Sequence, residues 1–174
     1  MENFDKKLNN YARLIIEKGI NANDRPLVIR CAVERADFAR LLVKYAYEKG
    51  TSEVVMEWND DDINRMYYEN ASEEALKDVP DFIVEKSKYY FEKKAGVISV
   101  SCQDPENLKG VDPDRVQMRS KVFAEKMKPI QKYTMNDINS WCVVAAPSVG
   151  WAKRVFPELS EEEAVDRKST RLNS

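Results

Sequence analysis

The sequence predicts an α/β fold, in which a mainly parallel sheet carries helices on both faces in a three-layer arrangement. Four short apolar runs are rich in Val and Ile and are bounded by Pro, Gly, Asn or Asp, a pattern typical of buried strands. These runs lie at 27–32, 54–58, 97–102 and 141–146. Longer segments with helical periodicity separate the runs, and crossovers of that length connect parallel strands.

Helical periodicity predicts the position of each helix. The first helix precedes all the strands, and we expect its apolar face, which includes Tyr11 and Ile15, to pack across the sheet. A last helix is predicted to begin at the capping box formed by Ser160 and Glu163. The helices between them are predicted over 38–50, 61–70, 80–95 and 112–129, where Pro129 is expected to end or kink the helix.

The amino-acid composition excludes several classes of function. The 174 residues suggest one domain, and 28 Lys and Arg against 30 Asp and Glu give a net charge of −2. This balance argues against a nucleic-acid partner. Since no apolar run is long enough to span a membrane and the charged N-terminus lacks a signal segment, we expect a cytoplasmic protein without a membrane partner. The chain has no histidine, the commonest metal ligand, so a self-sufficient hydrolase is not expected.

Cysteine and glycine spacing excludes two kinds of site. Cys31, Cys102 and Cys142 are far apart in apolar runs, which favours buried structural thiols over disulfides or a zinc motif. The five glycines include no pair spaced as in a dinucleotide-binding or phosphate-binding loop. The fold is therefore predicted to be Rossmann-like without a nucleotide motif.

Candidate site residues follow from the rule that ligands of an open parallel sheet bind beyond the carboxyl ends of its strands. From those ends we select Arg35, Asp60 and Asp104 as candidate residues of a substrate-cleft wall, and we predict no catalytic and no metal-ligating residue. The run 60–62 contains three carboxylates that could hold a cation. Three consecutive carboxylates do not easily face one ion, however, so a helix-capping role is favoured.

Three segments carry a family resemblance. They are Ala46–Val54, Gln103–Pro113 and the stretch Trp141–Pro157, which contains Ala-Ala-Pro followed by Trp-Ala-Lys and Phe-Pro and leads into Glu-Glu-Glu-Ala-Val at 161–165. In this order and spacing the segments resemble the thermophilic aminopeptidase family, of the aminopeptidase T and aminopeptidase S type. The resemblance covers residues 1–165.

The resemblance implies a homodimeric exopeptidase that removes N-terminal residues from peptides with two divalent metal ions, such as zinc or cobalt. In that family the metal ligands and acid–base groups belong to a C-terminal domain, and no position here matches them. We therefore expect residues 1–165 to be the N-terminal α/β domain, to bind no catalytic metal and to be inactive alone. The metal-binding catalytic domain is expected to be absent.

Residues 166–174 have no apolar periodicity, and the string resembles the translation of a sequencing-adapter oligonucleotide. We expect an artefactual tail here, the other interpretation being a natural basic tail.

The alternative for the whole chain is a complete small α/β binding or interaction domain without catalysis.

Overall fold

The protein's structure, a computed structural model, describes residues 2–135 and 138–172. The strands in this part are β1 (Pro26–Ala32), β2 (Glu53–Asn59), β3 (Gly96–Ser101) and β4 (Trp141–Ala145). They form one sheet in the order β2-β1-β3-β4, and every neighbouring pair is parallel. The predicted parallel sheet is confirmed.

The α-helices connect the strands and flank them. They are α1 (Glu2–Leu14), α2 (Ala36–Glu48), α3 (Asp61–Asn70), α4 (Glu73–Lys77), α5 (Asp81–Glu92), α6 (Pro113–Met135), α7 (Val149–Val155) and α8 (Glu161–Leu172). A π-helical turn, Ile15–Gly19, continues α1, and a 3₁₀ turn, Val33–Arg35, joins β1 to α2. Within this described part, no helix has both the length and the apolar character that a membrane crossing requires.

One face of the sheet is covered by α1 and α2. Because successive side chains of a strand point to opposite faces, Leu27 and Ile29 of β1 share this side, where they are buried with Ile16 and Leu42. Tyr11 of α1 stacks on the buried ring of Phe38, with centroids 5.6 Å apart. The first helix thus packs across the sheet, as predicted.

The other face is covered by α5 and α6. Val28 of β1 and Val97 of β3 are buried there against Phe91 of α5 and Tyr133 of α6. The rings of Phe91 and Tyr133 stack with centroids 5.7 Å apart. Helices on both faces, the remaining part of the fold prediction, are confirmed.

The sequence predicted that Pro129 would end or kink helix α6. The helix does not end there but continues to Met135. The residues after the proline explain this, since Ile130 and Tyr133 are buried against the sheet. Burial of an apolar face stabilises a helix more than local propensity does. It therefore offsets the hydrogen bond that Pro129 cannot donate.

Helix α8 begins at the predicted capping box. The Ser160 main-chain N–H donates to Glu163 Oε2 at 3.1 Å, and the Glu163 N–H donates to Ser160 Oγ at 3.3 Å. Of the predicted tail, residues 166–172 continue this helix, and 173–174 lie outside the described residues. Arg167 lies 5.0 Å from the ring centroid of Phe156. The tail thus contacts the residue that ends α7.

Candidate substrate-cleft wall

A cavity of about 340 Å³ opens beyond the carboxyl ends of the strands. It lies where open parallel sheets bind ligands. Carboxylates dominate its wall, and the negative charge they carry attracts cations. The lining residues are Glu34, Arg35, Asp37, Asp61, Asp62, Asp104, Asn107, Ser148, Val149, Gly150 and Val165.

Arg35, one of the predicted cleft residues, lines this cavity but is only 5% exposed. Its Nε and Nη2 each donate to a carboxylate oxygen of Asp37 at 3.1 Å. Its Nη1 donates to the main-chain carbonyl of Pro147 at 2.9 Å. Because these partners engage all three guanidinium nitrogens, Arg35 ties the end of β1 to the segment after β4 rather than offering its charge to a ligand.

Asp104, the second predicted residue, also lines the cavity and links the ends of two strands. Its main-chain N–H donates to Asp61 Oδ2 at 3.0 Å, and its Oδ1 accepts from the Glu106 N–H at 2.9 Å. Asn107 Nδ2 donates to the Asp61 carbonyl at 2.8 Å. These bonds hold the loop after β3 against the start of α3, which makes this side of the cavity rigid.

Asp60, the third predicted residue, is not among those that line the cavity. Its Oδ1 accepts from the Ile63 N–H at 3.0 Å, so it is the N-cap of α3. Asp61 and Asp62 follow in the first turn and do line the cavity. The capping role favoured for the 60–62 run is confirmed for Asp60, and the structure assigns the wall position to its two neighbours.

The fourth strand contributes through the segment that follows it. Ser148 caps α7, its Oγ accepting from the Trp151 N–H at 3.2 Å. A Cβ atom at Gly150 would lie 3.3 Å from Asp104 Oδ2, which is tight for a carbon–oxygen contact. Glycine therefore lets α7 approach the Asp104 carboxylate closely. Arg154 extends from the same helix, with its Nε 3.6 Å from Asp104 Oδ2.

None of the three cysteines is among the residues that line this cavity. Cys31 and Cys102 are buried, as predicted, whereas Cys142 is only partly buried. A hydrogen bond to Cys102, together with burial, raises the pKa of the Cys31 thiol, and burial raises the pKa of Cys142. Since the thiolate is the reactive form of cysteine, Cys31 and Cys142 are poor nucleophiles. The hydrogen bond from Cys31 instead lowers the pKa of Cys102, which is buried.

Sequence reasoning missed several lining residues. Asp37 lies five residues beyond the end of β1, inside a helix, and Asn107 lies six residues beyond the end of β3, in a loop. They reach the cavity only because the chain turns back. The sequence contained one feature that could have indicated Asp37, namely its spacing from Arg35 in the first turn of a helix. Gly150 carried none, since its role depends on how closely α7 approaches Asp104.

Comparison with known proteins identifies the family. The sequence profile of the family described as thermophilic metalloprotease (M29) matches residues 4–172. The chain belongs to this family. The resemblance seen in the sequence is therefore confirmed, and the match extends through the residues that continue α8 past Val165.

Individual members of the M29 family are similar along nearly the whole chain. Aminopeptidase AmpS of Bacillus subtilis is 37% identical over 99% of this chain, and aminopeptidase PepS of Streptococcus thermophilus is 39% identical over 95%. The solved structure of wild-type AmpT from Thermus thermophilus superimposes with a TM-score of 0.85 and 34% identity, covering 94% of this chain.

The match covers nearly all of this chain but only part of each M29 relative. The chain spans 44% of AmpS, 41% of PepS and 42% of the AmpT chain. The similarity is thus to less than half of each relative.

The family implies a metal ion, and the side chains here do not suit one. In the described part of the chain, no three Asp, Glu or Cys residues come together in a way that could hold a metal. Two carboxylates of the cavity are already engaged by main-chain donors, since Asp61 Oδ2 and Asp104 Oδ1 each accept a main-chain N–H. A hydrolytic metal needs about three protein ligands with an open position for water.

Proposed function

We propose that this chain is the N-terminal part of a metal-dependent aminopeptidase that releases N-terminal residues from peptides, and that it is inactive alone. The observation that carries the proposal is the family match along the chain, combined with coverage of only 41–44% of the aminopeptidases it resembles. In this proposal the catalytic domain, with two divalent ions that activate water, belongs to the part of the relatives that this chain does not match.

Residues 1–165 would then form the N-terminal domain, and residues 166–174 would be the artefactual tail. The whole enzyme would be a cytoplasmic homodimer. We define the extended protein as residues 1–165 joined to the C-terminal part that the relatives possess. This definition makes the domain proposal testable, because the same N-terminal residues can be compared with and without the remainder.

The test is release of the chromophore from an aminoacyl p-nitroanilide. We expect turnover by the extended protein, its loss on addition of a chelator and its return with divalent metal. The 174-residue chain should show no turnover with or without metal. Metal-dependent turnover by the chain alone would contradict the proposal, as would a folded, metal-loaded extended protein without activity.

Within this enzyme, we propose that the acidic cavity is one wall of the substrate cleft. Asp104 and Asp62 supply charge at the cavity, and Arg35 frames it. A peptide substrate carries a protonated N-terminus, and a cleft lined by one sign of charge raises the local concentration of the opposite sign. The wall therefore contributes to substrate capture and not to the chemical step.

The substitution Asp62→Asn in the extended protein tests the wall. We expect KM to rise roughly threefold to tenfold at low salt while kcat is unchanged, because uniform binding is lost. The effect should shrink in high salt, which screens exposed charges. Glu85→Gln, an exposed substitution on α5 outside the cavity, is the matched control. A fall in kcat without a change in KM would show that the carboxylate acts in the chemistry instead.

A further inference from the structure

The two sides of strand β4 differ in how they are covered. On the side of α1, the Ser140 hydroxyl accepts from the Asn21 N–H at 3.1 Å, and Gly19 of the π-helical turn approaches Cys142 Sγ. On the opposite side, Trp141 is 56% exposed and Val143 is 63% exposed. Strand β4 is therefore packed on one face and bare on the other.

The exposed side chains lie on the face that α5 and α6 cover elsewhere. Val97 of β3 is directly opposite Trp141 in the sheet register, yet it is buried under Phe91 and Tyr133. On the same face an open groove of about 440 Å³ runs over Val143, Ser99 and the Arg30–Glu57 ion pair. The helical layer on this face thus covers β1 and β3 and leaves β4 open.

We propose that a helix from the C-terminal part of the extended protein packs on this face of the sheet, over Trp141 and Val143. A sheet whose face bears apolar side chains is normally covered by another layer, and β4 has no charged residue or proline to protect its surface. The M29 relatives supply the covering chain, since more than half of their length lies outside the match.

The groove also defines the character of this helix. Toward β4 its lining includes the apolar Val143, β3 contributes Ser99, and toward β1 and β2 the groove carries Arg30 and Glu57. The docking helix therefore presents an apolar stripe to Trp141 and Val143 and polar side chains toward the ion pair. This inference rests on the domain organisation proposed above.

Thiol reactivity tests the inference. Val143→Cys places a thiol on the bare face, and its reaction rate with a water-soluble disulfide reagent is compared between the 174-residue chain and the extended protein. We expect the rate to fall at least tenfold in the extended protein. Trp141→Cys is the second variant and should behave in the same way. Phe82→Cys, at a 65% exposed position on α5, is the control and should react equally in both proteins.

Two results would overturn the inference. Equal reactivity of Val143→Cys and Trp141→Cys in both proteins would show that nothing covers β4. Protection that already appears in the 174-residue chain and grows with its concentration would assign the face to a second copy. Aminopeptidase activity is measured on the same extended samples, so an active enzyme with reactive cysteines refutes the docking helix and leaves the proposed function standing.

Discussion

The two faces of the sheet differ in completeness. Under α1 and α2 a single core cluster reaches all four strands, from Met56 of β2 to Val144 of β4. Under α5 and α6 the core includes Val28 and Val97 but stops short of β4 and of the carboxyl half of the strands. The first face is finished by this chain, whereas the second leaves an open groove.

The difference shows which parts of the domain serve its own stability. The covered regions bury apolar side chains, and burial of apolar surface is the main favourable term in folding. The open regions are the solvent-facing carboxylates of the acidic cavity and the bare face of β4. They contribute little to stability, and in the proposed enzyme they are the surfaces that meet substrate or polypeptide. Substitutions should therefore cost much in the first class and little in the second.

The largest effect is expected from the stacked aromatic pairs that anchor the two cores. Phe38→Ala and Phe91→Ala should each lower the free energy of unfolding by about 3–5 kcal/mol, because each removes a buried ring and leaves a cavity. Urea denaturation measures both. If Phe91→Ala alone lowered the free energy of unfolding only slightly, the second face would be loosely packed even where helices cover it. That result would contradict the contrast drawn between covered and open regions.

A smaller loss is expected at the carboxyl edge. Arg35→Met removes three hydrogen bonds and leaves the Pro147 carbonyl without this donor, which should cost roughly 1–3 kcal/mol. Arg35→Lys is the matched control, because it keeps the charge but cannot make the paired contacts with Asp37. Urea denaturation again supplies the measurement. Unchanged stability in Arg35→Met would show that polar contacts do not hold this edge together.

Glu57, which lines the groove, carries a charge that affects stability. Burial opposes ionisation of Glu57, but hydrogen bonds from Arg30 and Lys86 prevail and lower its pKa. Its contribution is therefore present above the unfolded pKa of about 4.3 and is lost as pH falls through the folded pKa. Glu57→Gln should cost about 1 kcal/mol or less at pH 7. The difference from the parent chain should shrink in denaturation curves as pH falls through the lowered folded pKa. A difference that grows in acid would contradict this.

The smallest effect is expected on the bare face. Val143→Lys in the 174-residue chain should change the free energy of unfolding by no more than about 0.5 kcal/mol, because the side chain is already exposed. Thermal melting of this variant beside Val144→Lys, which introduces a charge into the buried neighbour, gives the contrast. A large loss for Val143→Lys would show that β4 is covered within the chain itself.

Much of the fold could be predicted because strand and helix periodicity are local properties. The four apolar runs and the capping box at Ser160 were read from neighbouring residues alone. The continuation of α6 past Pro129 could not be predicted, since it depends on the burial of Ile130 and Tyr133 against distant strands. The short helix α4 contains too few residues for a periodic pattern.

The candidate site was predictable only in outline. The strand-end rule found Arg35 and Asp104, because chain topology alone brings the ends of parallel strands together. It could not tell that Asp37 and Pro147 would engage the whole Arg35 guanidinium, nor which carboxylates of the 60–62 run would line the cavity beside the predicted helix cap. Those distinctions depend on side-chain direction and on contacts between residues far apart in sequence.

In the proposed enzyme, this chain forms one wall of the substrate cleft, and the metal ions bind to the C-terminal part. The most direct measurement is metal content by mass spectrometry after both proteins are loaded with zinc and dialysed. We predict that the 174-residue chain retains essentially no zinc and that the extended protein retains two ions per chain. Stoichiometric zinc on the 174-residue chain would contradict the claim.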